Sequence, residues 1–222
     1  MNNILALFDL DHTLIPADSD LCWTKFLIDK GVIEKENTRV NENFFTQYND
    51  GCLDIYEFLS FQLKPLRSIP RAKLTSLRNE FIEKSILPII TPNARKIVNN
   101  HLNKGDLCAI VTATNEFITE PISKIFKIPT LIATKLETHP SGDFTGQADG
   151  IPNFREGKVT RVLQWLATKN LGLESFDKSF FYSDSINDLP LLSRVTNPVA
   201  MNPDEKLHAH ALSLGWKIKE IF

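Results

Sequence analysis

Apolar residues follow two rhythms along this chain. Residues 4–10 form a short, nearly continuous apolar run that ends in acidic residues and Thr13, the pattern of a central parallel strand buried on both faces. Residues 107–111 and 179–182 repeat it, with a weaker run at 198–201. Between these runs the period lengthens to that of a helix. Thr91 and Pro92 precede a helical pattern over 93–103 and Gly105 follows it, a cap, a first-turn proline and a terminating glycine. Amphipathic patterns at 116–126 and 158–170 predict two more helices, the latter with Val159, Val162, Leu163 and Leu166 on one face, and 204–214 predicts a last one. Strands alternating with helices imply an α/β fold, a doubly wound parallel sheet with helices on both faces.

Two stretches break the alternation. Residues 16–87 carry no strand pattern; aromatic-rich helical patterns over 21–30, 43–48, 55–63 and 71–84 are punctuated by Gly51, Pro65 and Pro70. They predict an inserted helical cap domain over 16–87, with a core built from 1–15 and 88–222. Residues 136–150 hold Pro140, Ser141-Gly142-Asp143 and Gly146, which predicts a hairpin.

Composition narrows the function. With 222 residues, 42% hydrophobic and 23% charged, the chain suits one core domain with an insert. Its formal charge of −2 gives no global field to recruit nucleic acid or an anionic membrane. A phosphorylated ligand therefore needs local cations. Cys22, Cys52 and Cys108 form no CxxC pair, and an odd count fits a reducing compartment. The first apolar run lacks a preceding basic region and is too short for a signal-peptide core or a membrane span. The expected location is the cytoplasm. Nothing in the pattern specifies an oligomeric state.

The acids occupy informative positions. Asp9 and Asp11 follow the first predicted strand, and Asp184 and Asp188 follow the third, at the strand ends where open parallel sheets bind ligands. Carboxylates gathered there repel one another, and a divalent cation held by oxygens relieves that repulsion. Asp9 and Asp11, two apart, are expected on the same side of the extended strand end, with His12 turned away as a structural residue. Thr112, Ala113, Thr114 and Asn115 bring a hydroxyl and backbone N–H groups to a helix start, where anions bind. Lys158 opens the helix after the hairpin and can reach a phosphate. A calcium loop fits poorly, because position 14 is leucine and position 20 is aspartate. His208 and His210 face different directions on a helix and make no zinc pair.

Asp9-Leu10-Asp11-His12-Thr13 matches the DxDxT motif, and Thr112, Lys158 and the 183–188 segment Ser-Asp-Ser-Ile-Asn-Asp fall where the haloacid dehalogenase superfamily places its later motifs. The chain resembles that superfamily over nearly its whole length. The insert after the first motif and the Phe144-Thr145-Gly146 hairpin resemble its phosphoserine-phosphatase-like branch. The resemblance implies a Rossmann-like core with a C1-type helical cap, and a magnesium-dependent phosphatase acting on a small phosphorylated metabolite. It further implies Asp9 as nucleophile and Asp11 as general acid and base. Asp9, Asp11 (through its carbonyl) and Asp184 would hold magnesium, with Asp188 supporting the metal shell or orienting Lys158. Thr112, Ala113 and Lys158 would bind the phosphoryl group.

The cap decides the ester. Phosphoserine phosphatases carry an acid nine residues past the nucleophile, here Asp18, and a cap arginine that grips the substrate carboxylate. An alignment anchored on Gly51 and Leu53 places Ser60, Phe61 and Gln62 in that region, and no arginine occurs between Arg39 and Arg67. The expected substrate lacks that carboxylate and offers Asp18 an amine or hydroxyl; histidinol phosphate is one candidate by family analogy. A phosphotransferase of the same fold and a catalytically silent binding module remain as alternatives. Product analysis with an added acceptor separates the first, and the full set of motif residues argues against the second.

Overall fold

Strand β1 (Ile4–Phe8) lies at the middle of a six-stranded parallel sheet because both of its faces are apolar. The computed structural model describes residues 3–34 and 37–222. Ala6 and Phe8 enter one core cluster and Leu5 and Leu7 the other, one on each side of the sheet. β1 is flanked by β2 (Leu107–Asn115) and β6 (Lys178–Ser183), in register Phe8 with Ile110 and Phe8 with Tyr182. β3 (Thr130–Thr134), β7 (Asn197–Met201) and β8 (Lys217–Lys219) complete the order β3-β2-β1-β6-β7-β8. The chain winds outward from β1 in one direction and then the other, so the crevice between the ends of β1 and β6 is the switch point where such sheets bind ligands.

The two strands without a clear apolar signature, β3 and β8, are the outermost ones. An edge strand needs less apolar surface, and β8 is only three residues with lysine at both ends. Helices α6 (Pro92–Leu102) and α7 (Glu116–Phe126) cover the Ala6/Phe8 face; α8 (Glu156–Ala167), α9 (Leu189–Leu192) and α10 (Glu205–Leu214) cover the other. The Thr91 hydroxyl accepts from the Ala94 N–H, as its capping position predicts.

Between β1 and α6 the described chain is helical: α1 (Ser19–Asp29), α2 (Asn37–Asp50), α3 (Ile55–Gln62), α4 (Lys64–Ser68) and α5 (Arg71–Phe81). A π-helical turn, Ile82–Ile86, extends α5. Asp18 and Asp54 cap α1 and α3 through backbone N–H groups of Leu21 and of Tyr56 and Glu57. Trp23 of α1 packs edge-on against Phe81 at 5.3 Å and Phe117 of α7 at 6.3 Å, so the insert and one sheet face share a single apolar cluster.

The hairpin of β4 (Leu136–Thr138) and β5 (Phe144–Ala148) is antiparallel and stands apart from the main sheet. It leans on α3 and α4. Asp143 accepts from the Arg71 N–H at 2.9 Å, and the Arg71 guanidinium lies 3.8 Å from the centre of the Phe144 ring. At Gly146, φ is +83° and an added Cβ would sit 2.9 Å from Cβ of Arg67, so this contact requires glycine.

Candidate active site

The site grows out of the strand ends at the switch point. The Asp9 N–H still donates to the Tyr182 carbonyl at 2.9 Å, holding Asp9 beside β6. Beyond it the chain turns back on itself, with the N–H groups of Thr13, Leu14 and Ile15 all donating to the Leu10 carbonyl. The strand stops at Phe8, so strict alternation does not continue to residue 12. His12 adopts φ 54° and its exposed side chain lies at the cavity lining, where alternation alone would have turned it away.

Lys158 is the centre of the polar network. It lies inside the first turn of α8, which begins at Glu156 rather than at the lysine and ends at Ala167. Gly157 permits this approach: an added Cβ would meet the Pro152 carbonyl oxygen at 2.0 Å. The buried Lys158 Nζ donates to Asp9 Oδ1 and to Asp188 Oδ2, each at 2.7 Å. Ser183 Oγ also donates to Asp188 Oδ2 at 2.6 Å, so Asp188 orients the lysine. Burial works against the ammonium, but the Asp188 and Asp9 carboxylates outweigh it and hold the Lys158 pKa above its usual value.

Burial also raises the carboxylates. It pushes Asp9 up to about 7 against the pull of Lys158, with Asp188 adding to the rise. It pushes Asp11 up to about 6, helped by the Asp18 charge and opposed by hydrogen bonds. Asp11 Oδ1 accepts from the Ser19 N–H at 2.9 Å and Oδ2 from the Thr114 hydroxyl at 2.7 Å. Asp184 is raised well above the carboxylate range by burial and then by the charge of Asp9; the Thr13 hydroxyl, at 2.9 Å, eases it only in part.

Among the described residues no group of three or more His, Cys, Asp or Glu is arranged to hold a metal ion. Two carboxylates, Asp9 and Asp184, do line one cavity. Two carboxylates are a sparse oxygen set of the kind that suits magnesium, an ion that takes few protein ligands and keeps water and phosphate. The rise at Asp184, caused by burial and the Asp9 charge, with no cationic partner among the described residues, fits such an ion.

The same cavity is lined by Thr112, Ala113, Asp18 and Asp20. All eight residues singled out at the sequence, Asp9, Asp11, Asp18, Thr112, Ala113, Lys158, Asp184 and Asp188, therefore meet at one cavity. Residues 60–62 do not: Ser60 is exposed, and Phe61 and Gln62 line a separate crevice. α3 turns another face inward, with Ile55 and Phe58 at the cavity.

Several residues escaped the sequence reading. Asp20 lines the cavity, accepts from Asn115 Nδ2 at 3.2 Å, and is raised well above its usual pKa by burial, then by the Asp18 and Asp11 charges. Asn41 of α2 lines it too. Arg155, at φ 50° and ψ −119°, donates through Nη2 to the Gly51 carbonyl and through Nε and Nη2 to Asn187 Oδ1 at 3.1 and 2.9 Å. Asn187 in turn donates to the Tyr48 carbonyl at 3.0 Å. This pair latches the end of α2 onto the core. Only the acids at 18 and 20 carried a visible chemical signal in the sequence; Arg155 belongs to no spaced pattern, and Asn41 is the polar member of an otherwise aromatic helix stripe.

A family model for haloacid dehalogenase-like hydrolases matches residues 6–193. A histidinol-phosphatase of Neisseria meningitidis serogroup C (strain 8013) is 45% identical over 215 residues, 96% of this chain and 97% of that protein. A crystal structure of a protein of unknown function from Bordetella pertussis Tohama I superposes with a TM-score of 0.94 at 45% identity, covering all of both chains. A phospho-aspartyl intermediate analogue of phosphoserine phosphatase has the same fold, with a TM-score of 0.69 at 18% identity over 100% of this chain and 94% of that one.

Proposed function

This chain belongs to the haloacid dehalogenase-like hydrolase family and is a phosphatase, and from that membership we propose that it is a magnesium-dependent phosphomonoesterase that hydrolyses histidinol phosphate through an aspartyl-phosphate on Asp9. The observation that carries the mechanism is the buried Asp9–Lys158–Asp188 network at the switch point. In this reading residues 16–87 form the cap over a core of 1–15 and 88–222. The three cysteines are free thiols, consistent with a cytoplasmic enzyme.

Asp9 attacks phosphorus in line, forming an Oδ–P bond as the bond to the ester oxygen breaks. Asp11, with a pKa near 6, gives its proton to the departing alkoxide. It then takes a proton from the water that cleaves the acyl phosphate, releasing inorganic phosphate and restoring Asp9. Lys158 and Thr112 hold phosphoryl oxygens, and Asp188 keeps the ammonium in place. Asp9, Asp184 and the Asp11 carbonyl would hold magnesium, which when bound offsets the carboxylate and phosphoryl charges.

The choice of ester rests on the N. meningitidis relative and on the cavity's chemistry. Lys158 is the only Lys or Arg among the described residues of the lining; it belongs to the phosphate end, leaving no guanidinium or ammonium for a substrate carboxylate. Asp18 and Asp20 suit an ammonium, and Phe44, Phe45, Tyr48 and Phe58 suit a flat ring. Steady-state hydrolysis of histidinol phosphate and phosphoserine, each with magnesium and with chelator, tests the proposal. Magnesium-dependent turnover with histidinol phosphate preferred is expected; a preference for phosphoserine would overturn the substrate, and turnover unaffected by chelator would overturn the metal.

A further inference from the structure

On α2, residues 41, 44, 45 and 48 follow the i, i+3, i+4, i+7 spacing of one helix face, and all four line the cavity. Three are aromatic. The fourth is Asn41, a polar residue in an otherwise apolar stripe. It is 4% exposed, and neither Oδ1 nor Nδ2 has a partner among the described residues. The other buried polar side chains of this lining lack that double vacancy: Asp9, Asp188 and Lys158 bond one another, Thr114 bonds Asp11, and Asp20 bonds Asn115.

A local structural role does not account for it. Asn41 is the fifth residue of α2, past the positions that cap a helix. Asparagine is a poor interior helix residue unless its side chain finds a partner, and a buried carboxamide without one costs stability. A leucine here would continue the stripe. The protein thus carries a donor and an acceptor into the wall of the cavity, on the insert side.

We infer that Asn41 is a specificity-determining residue: its carboxamide hydrogen-bonds the ring nitrogen of an azole carried on the distal end of the phosphate ester, with the Phe44, Phe45 and Tyr48 rings enclosing the ring faces. This rests on the proposed activity and names the residue that reads the ring. A neutral imidazole offers one N–H donor and one lone-pair acceptor, and a carboxamide can answer either. A buried polar group that is satisfied only by substrate discriminates strongly against analogues lacking the partner atom.

The test compares wild type with Asn41→Leu on histidinol phosphate and p-nitrophenyl phosphate, an ester whose ring has no azole nitrogen. The ratio of kcat/KM values, histidinol phosphate over p-nitrophenyl phosphate, is expected to fall about 10- to 100-fold, mainly through KM. The ligand-free variant should also melt higher than wild type, because unpaired buried polar atoms have been removed. An unchanged ratio, or a lower melting temperature with equal losses on both esters, would mean that Asn41 is structural and would overturn the inference. Asn41→Ala, which leaves space rather than new bulk, should lower the ratio as well; if only the leucine variant does so, steric blockage is the cause and the inference fails. Wild type that turns over p-nitrophenyl phosphate but not histidinol phosphate would overturn the proposed substrate, and the azole with it, while leaving the phosphatase assignment standing.

Discussion

The two walls of the cavity are built on opposite rules. On the sheet side each of Asp9, Asp11, Asp184, Asp188 and Lys158 is held by a side chain or N–H group from another element. On the side of α2 and α3 the lining is aromatic and aliphatic, Phe44, Phe45, Tyr48, Leu53, Ile55 and Phe58, with Asn41 among them, unpaired among the described residues. The first wall is hydrogen-bonded to itself, which fixes the positions that the proposed phosphoryl transfer would demand. The second leaves shape, ring faces and one carboxamide for the part of the substrate that varies. In the proposed reading, reaction and selectivity are separated by wall.

Substitutions on the sheet side should depress every ester alike, and the largest effect is expected at the proposed nucleophile. Asp9→Asn should lower kcat by about 10⁴-fold or more on any substrate, read by phosphate release; retention of turnover would break the contrast at its base. The latch between the walls comes next. Arg155→Ala removes the hydrogen bonds to the Gly51 carbonyl and Asn187, and kcat/KM should fall about 10-fold on histidinol phosphate and p-nitrophenyl phosphate together. A loss confined to one ester would place Arg155 among the selecting residues instead.

The smallest expected effect concerns stability. Burial, then the Asp18 and Asp11 charges, raise the Asp20 pKa, so its contribution is intact below the ordinary carboxylate value and is lost as pH climbs through the raised one. Asp20→Asn keeps an acceptor for Asn115 and removes the charge. Its melting temperature should exceed that of wild type by about 2–4 °C at pH 8, with a smaller gain at pH 5. A gain independent of pH would show that charge is not the reason.

Much of the sheet-side wall was legible because its residues sit at the ends of short apolar runs, where β1, β2 and β6 stop. Asp9 and Asp184 could be placed side by side from that alone. The edge strands β3 and β8 were not legible, since one-sided burial leaves a weak apolar pattern. His12 was misread because alternation holds only while the strand continues, and it ends at Phe8. Beyond Asp18, the insert side was legible only as aromatic helices. Which residues of α2 and α3 face the cavity depends on how those helices rotate against the core, and no local pattern in the sequence records that rotation. Arg155 depends on an unusual backbone angle and on a carbonyl more than a hundred positions away in sequence.

The hairpin that leans on α3 and α4 also bears on how such proteins can be recombined. Arg71 bonds Asp143 and covers Phe144, while Gly146 lies against Arg67. A graft that replaced residues 16–87 with the corresponding stretch of a relative would leave these three hairpin positions facing a foreign surface. On the proposed division the exchangeable unit would be discontinuous: the insert together with 136–148, two segments far apart in sequence that would have to be exchanged as a pair.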